Sequence, residues 1–127
     1  MKRFIKIVTD ILLVIVLVIA AVLYIPRLMG LKTYKVLSGS MEPEYHVGSV
    51  VYVEKSSIDD IEVGDVITFY INDNTVVTHR VIDKDDDTES FRTKGDANEI
   101  EDGGSVAYDK VVGKVVLNVP YLGYILG

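Results

Sequence analysis

Val66-Ile67-Thr68-Phe69-Tyr70-Ile71, then Asn72-Asp73-Asn74, then Thr75-Val76-Val77-Thr78-His79-Arg80-Val81-Ile82, is the stretch that decides the fold. Two runs rich in β-branched and aromatic residues flank three residues of turn chemistry, the pattern of a β-hairpin. Successive strand residues point to opposite faces. Val77, His79 and Val81 therefore share one face, and Thr78, Arg80 and Ile82 share the other. A histidine between two valines on its own face is partly buried and held in place.

The same texture extends on both sides. Upstream, Ser49-Val50-Val51-Tyr52-Val53-Glu54 is a further strand, joined through the polar segment Ser56 to Glu62 and the turn Val63-Gly64-Asp65. Downstream, Asp83 to Thr88 is an acidic turn and Glu89 to Thr93 a short strand ending at Lys94-Gly95-Asp96-Ala97-Asn98. A loop through Gly103-Gly104 leads to Val111 to Val119, which Gly113 is expected to break. The tail Pro120 to Gly127 is apolar and aromatic, too short to span a bilayer but able to lie on one. Short strands separated by turns every ten or so residues predict an antiparallel β-sandwich or partly open barrel. The acidic run at 83–89 is a solvated hairpin tip, and no metal site is expected from it.

The N-terminal part has a different composition. Met1 to Lys6 is short and basic, and Ile11 to Ile25 is fifteen residues without a charge. Including Thr9 and Asp10, the run from Ile7 to Ile25 approaches the roughly 20 apolar residues that a membrane-crossing helix needs. It is too long for the core of a cleavable signal peptide, and it is apolar on every face, unlike a helix packed on a small domain. Residues 1–28 are expected to be a cytoplasmic stub and transmembrane anchor, and 29–127 a β-rich catalytic domain. Arg27 to Lys35 reads as a juxtamembrane linker. The positive-inside rule keeps Lys2, Arg3 and Lys6 in the cytoplasm and sends the remainder across the membrane.

Residues 1–35 hold six Lys/Arg against Asp10 alone, whereas residues 36–127 hold seven against eighteen Asp/Glu. An acidic globular part argues against nucleic acid, whose phosphates need a basic face. With no cysteine, neither a disulfide framework nor a thiolate metal site is possible.

Between anchor and hairpin lies Ser38-Gly39-Ser40-Met41-Glu42-Pro43. Gly39 allows a sharp bend and close backbone approach, and Pro43 fixes its own φ and keeps Glu42 out of a helix. This is a rigid turn able to present a hydroxyl. A serine nucleophile needs a base within reach and a group that orients the base. The chain has two histidines, His46 in the loop after the turn and His79 on the hairpin. Rigid placement on a strand favours His79. Asp96 and Asp102 are both available to accept from the imidazole, and the residues alone leave that choice open.

These motifs resemble those of the type I signal peptidases: Ser-Gly-Ser-Met-x-Pro after one anchor, Val63 to Phe69, Thr78-His79-Arg80-Val81, and Thr93 to Asn98, in the family's order. The histidine at 79 is similar to the branch found in archaea, the endoplasmic reticulum and some spore-forming bacteria. The resemblance implies Ser40 as nucleophile, His79 as general base, Asp102 as the acid completing the site and Asp96 as a second important acid. Ser38 matches a position that, in the lysine branch, helps the Ser40 amide hold the oxyanion, and Met41 joins it in the oxyanion and substrate-binding group. It also implies no metal or other cofactor, and a substrate peptide lying extended against a strand edge with small residues first and third before the cut. Many relatives carry a second apolar segment beyond the point where this chain stops, which implies a shortened C-terminus.

The expected activity is that of a serine endopeptidase removing signal peptides from secreted preproteins. It would be anchored in the cell membrane or endoplasmic reticulum membrane, with its catalytic domain on the extracytoplasmic or lumenal side. The expected partners are preprotein signal peptides and the lipid bilayer; partner subunits are left open. Two rivals stand beside this reading. One is a self-cleaving repressor-type protease, for which Lys94 would be the base. The other is an anchored β module that binds or scaffolds without catalysis.

Overall fold

A computed structural model describes residues 1–126 as two compact units, Met1–Leu31 and Lys32–Gly127. The first is a single α-helix, α1 (Lys2–Leu28). Its many Val and Ile residues are mediocre helix formers in water, but a segment in lipid must satisfy every backbone group internally, which a helix does. At 1.5 Å per residue its 27 residues extend about 40 Å, more than the ~30 Å hydrocarbon layer. The helix is long and apolar enough to cross a membrane, and none of its apolar window is buried in the protein. Its one acid, Asp10, accepts from Lys6 Nζ at 3.0 Å one turn earlier, so the charge is paired at the basic end.

The second unit is mostly antiparallel β. Its strands are β1 (Lys32–Lys35), β2 (Val50–Glu54), β3 (Val66–Asn72), β4 (Thr75–Asp85), β5 (Ser90–Lys94), β6 (Val106–Ala107) and β7 (Val111–Val119). They form one sheet in the order β1-β2-β7-β3-β4-β5-β6. Every pairing is antiparallel, and β1 and β6 are its open edges. The β3–β4 hairpin turns at Asp73-Asn74, where Asn72 Oδ1 accepts from the Asn74 amide at 2.9 Å, an Asx turn. Its register sets Ile67 opposite His79 and Val66 opposite Arg80. Ile61, Ile67, Phe69, Val81, Phe91 and Val106 form the buried core beside it.

Five details differ from the sequence expectations. Lys32–Lys35 is an edge strand rather than a linker, with Tyr34 opposite Val51; its Lys-Thr-Tyr-Lys composition hides the strand because an edge may carry charge. The fourth strand runs on to Asp85, through a bulge between Val81 and Asp83, which shortens the acidic tip. The two-residue β6 carries too little pattern to be recognised. Gly113 does not break β7. A Cβ there would collide with the Glu54 carbonyl of β2, so the glycine permits two neighbouring strands to approach closely. The tail becomes a short helix, α2 (Gly123–Leu126), tied back by the Gly123 amide to the Gly48 carbonyl at 2.7 Å.

Gly113→Ala is therefore expected to destabilise the sheet by about 1–3 kcal/mol through overpacking. Thermal unfolding followed by circular dichroism checks this; an unchanged midpoint would show that β2 yields without cost.

Candidate active site

The turn after β1 is built from the backbone outward. Ser38 is extended, Gly39–Met41 forms one turn of 3-10 helix, and Glu42 leaves it extended into a cis bond with Pro43. The Glu42 amide donates to the Gly39 carbonyl at 3.1 Å, and that of Tyr45 to the Met41 carbonyl at 2.9 Å. Met41 is buried and roots the turn, its sulfur accepting from the Asp96 amide at 3.4 Å. Ser40 stands at the apex. His46 is turned away to pair with the Glu42 carboxylate.

His79 comes to the turn from β4. Its Nε2 lies 3.0 Å from Ser40 Oγ, and its Nδ1 lies 2.7 Å from Asp102 Oδ2. A carboxylate can only accept, so Nδ1 carries a proton; in the neutral ring Nε2 then presents its lone pair to the serine hydroxyl. The imidazole is buried, with Phe69 packed edge-on, centroids 6.4 Å apart. Ser38 Oγ is 3.1 Å from Ser40 Oγ. Since the single Ser40 proton is directed to His79, the Ser38 hydroxyl is the donor of that pair.

The two acids separate. Asp102, in the loop between β5 and β6, meets the imidazole and also accepts from Thr93 Oγ1 at 2.6 Å. Asp96 does not bond to His79. Arg80, the next residue on β4, faces the other way and grips both Asp96 oxygens, Nε to Oδ1 at 2.8 Å and Nη2 to Oδ2 at 2.7 Å. Its Nη1 donates to the Gly64 carbonyl at 2.7 Å. This two-pronged bond holds the Asp96 carboxyl below the usual carboxylate range and raises the guanidinium. The loop that Arg80 braces touches Ser40 directly, because the Ala97 amide donates to the Ser40 carbonyl at 2.9 Å. A Cβ on Gly95 would stand 2.6 Å from that same carbonyl and 3.1 Å from His79 Nε2, so only glycine fits between the Ser40 backbone and the imidazole. Lys94 Nζ donates to the Gly95 carbonyl at 3.2 Å.

A cleft of about 690 Å³ opens beside Ser40. Tyr34, Leu37, Val51, Val76 and Val77 give it apolar walls, and Ser38, Met41 and His79 line it near the serine. Sequence reasoning missed Arg80, Gly95 and Thr93. All three lie inside motifs already singled out, and strand alternation places Arg80 opposite His79. Among the described residues no cluster of His, Cys, Asp or Glu suits a metal ion.

A hydroxyl beside a neutral imidazole backed by a carboxylate, at the edge of an apolar cleft, is the arrangement of a serine hydrolase. Comparison with known proteins narrows the class. Residues 8–88 match the family described as signal peptidase, peptidase S26. Over 120 residues the chain is 38% identical to signal peptidase I W of Bacillus subtilis (strain 168), covering 84% of this chain and 63% of that one. It is 35% identical over 101 residues to the signal peptidase complex catalytic subunit SEC11C of Homo sapiens, covering 71% of this chain and 53% of that one. The chain belongs to the signal peptidase family, peptidase S26, and spans between half and two thirds of the length of these relatives.

The Arg80–Asp96 pair has a consequence at acid pH. A carboxylate whose folded pKa is depressed stabilises the fold above its ordinary range, near about 4, and that contribution disappears as pH falls through the lower folded value. Asp96→Asn is expected to be less stable at neutral pH, and its thermal midpoint should approach that of the unaltered protein as pH falls from about 5 to 2. Parallel melting curves across that range would remove the pair as an acid-sensitive brace.

Proposed function

We propose that this protein is a membrane-anchored serine endopeptidase that removes N-terminal signal peptides from secreted preproteins through Ser40, His79 and Asp102. The observation that carries the reading is the hydrogen-bonded chain Ser40 Oγ, His79 Nε2, His79 Nδ1, Asp102 Oδ2, with links of 3.0 and 2.7 Å, in a family of signal peptidases. Ser40 Oγ attacks the scissile carbonyl carbon while Nε2 takes its proton. Asp102 stabilises the imidazolium so formed. The tetrahedral oxyanion would be held by the Ser40 amide and the Ser38 hydroxyl, a form of stabilisation often worth several kcal/mol. Nε2 then protonates the leaving amine, which departs as the new N-terminus of the mature chain. Water, activated by the same imidazole, hydrolyses the acyl-enzyme and frees the signal peptide.

The apolar cleft beside Ser40 suits an extended peptide with small apolar side chains near the cut. Asp96 supports the site from behind through Arg80. Helix α1 would hold the enzyme in the same bilayer surface as its substrate, which raises their effective concentration. A repressor-type dyad based on Lys94 finds less support, since that ammonium donates to the Gly95 carbonyl.

The catalytic reading is tested by incubating detergent-solubilised protein with a preprotein and sequencing the N-terminus of the product. Ser40→Ala and His79→Ala should abolish cleavage, and Asp102→Ala should lower turnover by on the order of 10⁴. Asp96→Ala should cost less than Asp102→Ala. Substantial activity in His79→Ala together with loss in Lys94→Ala would replace the histidine mechanism by the lysine one.

The anchored topology is tested by protease treatment of sealed, right-side-out vesicles. Residues beyond 30 should be digested, with the basic N-terminus protected; the opposite pattern would reverse the orientation.

A further inference from the structure

We infer that Thr93 is a positioning residue of the site, acting through Asp102. The inference rests on the Ser40–His79–Asp102 reading and extends it by one residue. Asp102 lies in the irregular loop from Gly95 to Ser105 and is followed by Gly103-Gly104, a setting that by itself gives a carboxylate no fixed direction. Thr93 lies on β5, where Phe91 and Thr93 are buried and Arg92 is exposed. Its side chain is 0% exposed. A hydroxyl there needs a partner, because burying it unpaired costs roughly 1–3 kcal/mol.

The partner is Asp102, and the pairing is double. The Asp102 amide donates to the Thr93 carbonyl at 2.9 Å, which fixes where the loop residue stands. Thr93 Oγ1 donates to Asp102 Oδ2 at 2.6 Å, which fixes how its carboxylate turns. The oxygen chosen is the one that faces His79 Nδ1. A carboxylate oxygen has lone pairs enough for both donors, so the threonine does not compete with the imidazole. It holds the oxygen on the line that the imidazole needs. The Asp102 side chain is 26% exposed, so without the hydroxyl it would have water to turn toward. Thr93 does not line the cleft beside Ser40, and its loss should leave substrate binding intact.

The test is steady-state cleavage of a preprotein by the full chain in detergent. Thr93→Val keeps the volume and removes the donor. Losing a hydrogen bond to a charged group predicts a fall in kcat of roughly ten- to a hundredfold, with KM little changed. Thr93→Ser, which keeps the hydroxyl, should restore most of the loss. In an Asp102→Ala background, Thr93→Val should cost nothing further. The His79 Nδ1 proton resonance in ¹H NMR should move or broaden in Thr93→Val and return in Thr93→Ser. Thermal unfolding of each variant identifies any that is simply unfolded, and Thr93→Ser then decides the matter against Thr93→Ala. If Thr93→Ser is as slow as the variants lacking the hydroxyl, or the cost of Thr93→Val is undiminished without Asp102, the threonine is only packing and the inference fails. Unaltered kcat in Thr93→Val beside an inactive Asp102→Ala overturns this inference alone. Full activity in Asp102→Ala overturns the underlying triad as well.

Discussion

The site depends on how closely two stretches of backbone approach one another. The Ser40 carbonyl accepts from the Ala97 amide, and Gly95 stands so near that a single added carbon would meet both that carbonyl and the imidazole. Backbone groups cannot change rotamer to make room, so this contact fixes the Ser40 main chain against the loop that follows β5. The elements nearby serve it. Met41 fills the space beneath the turn, Arg80 ties Asp96 and Gly64 together, and Phe69 steadies the imidazole. Ser40 and His79 come from segments 39 residues apart, and each is held by contacts independent of the hydrogen bond between them. The site is therefore organised before any substrate arrives, the condition under which fixed donors and charges contribute most to catalysis.

The two aspartates show how one short segment divides two tasks. Asp96 is given over to a cation, and its charge is balanced by Arg80. Asp102 is left with neutral or potentially charged hydrogen-bond donors, Thr93 and His79. Only the second arrangement leaves a carboxylate whose stabilising effect can grow as the imidazole gains a proton. An aspartate already satisfied by a guanidinium has far less to offer a developing charge.

What could be read from the sequence was whatever is local. The β3–β4 hairpin announces itself by β-branched runs around an Asx turn, and alternation along it separates His79 from Arg80 without any knowledge of neighbours. The helix α1 is equally plain, because its composition is apolar on every side. The edge strand β1 was hidden by its lysines, and β6 by its brevity. The partition between Asp96 and Asp102 was implied by the family resemblance but could not be read from the residues alone, since it depends on the path of an irregular loop and on which carboxylate a cation reaches first. Thr93 sat inside a recognised motif and still carried no signal, because a buried hydroxyl becomes informative only once its partner is known. Gly113 misled for a related reason: a glycine that admits a neighbouring strand looks the same in sequence as one that ends its own.

The adjacency of His79 and Arg80 on β4 gives the hairpin a parity. One residue faces Ser40 and the next faces the bracing loop, so a change of one residue in the arm between the turn and position 79 would exchange them. Losing one residue would bring the guanidinium to the imidazole's place, and gaining one would bring the imidazole to the guanidinium's place facing the Asp96 brace. Two residues inserted in that arm would restore the facing but shift both side chains along the strand by nearly 7 Å. Length changes in the Asp73-Asn74 turn, beyond the last paired residues, carry no such consequences. The run from Thr75 to His79 is thus fixed in count as well as in composition, whereas the tip is free to vary.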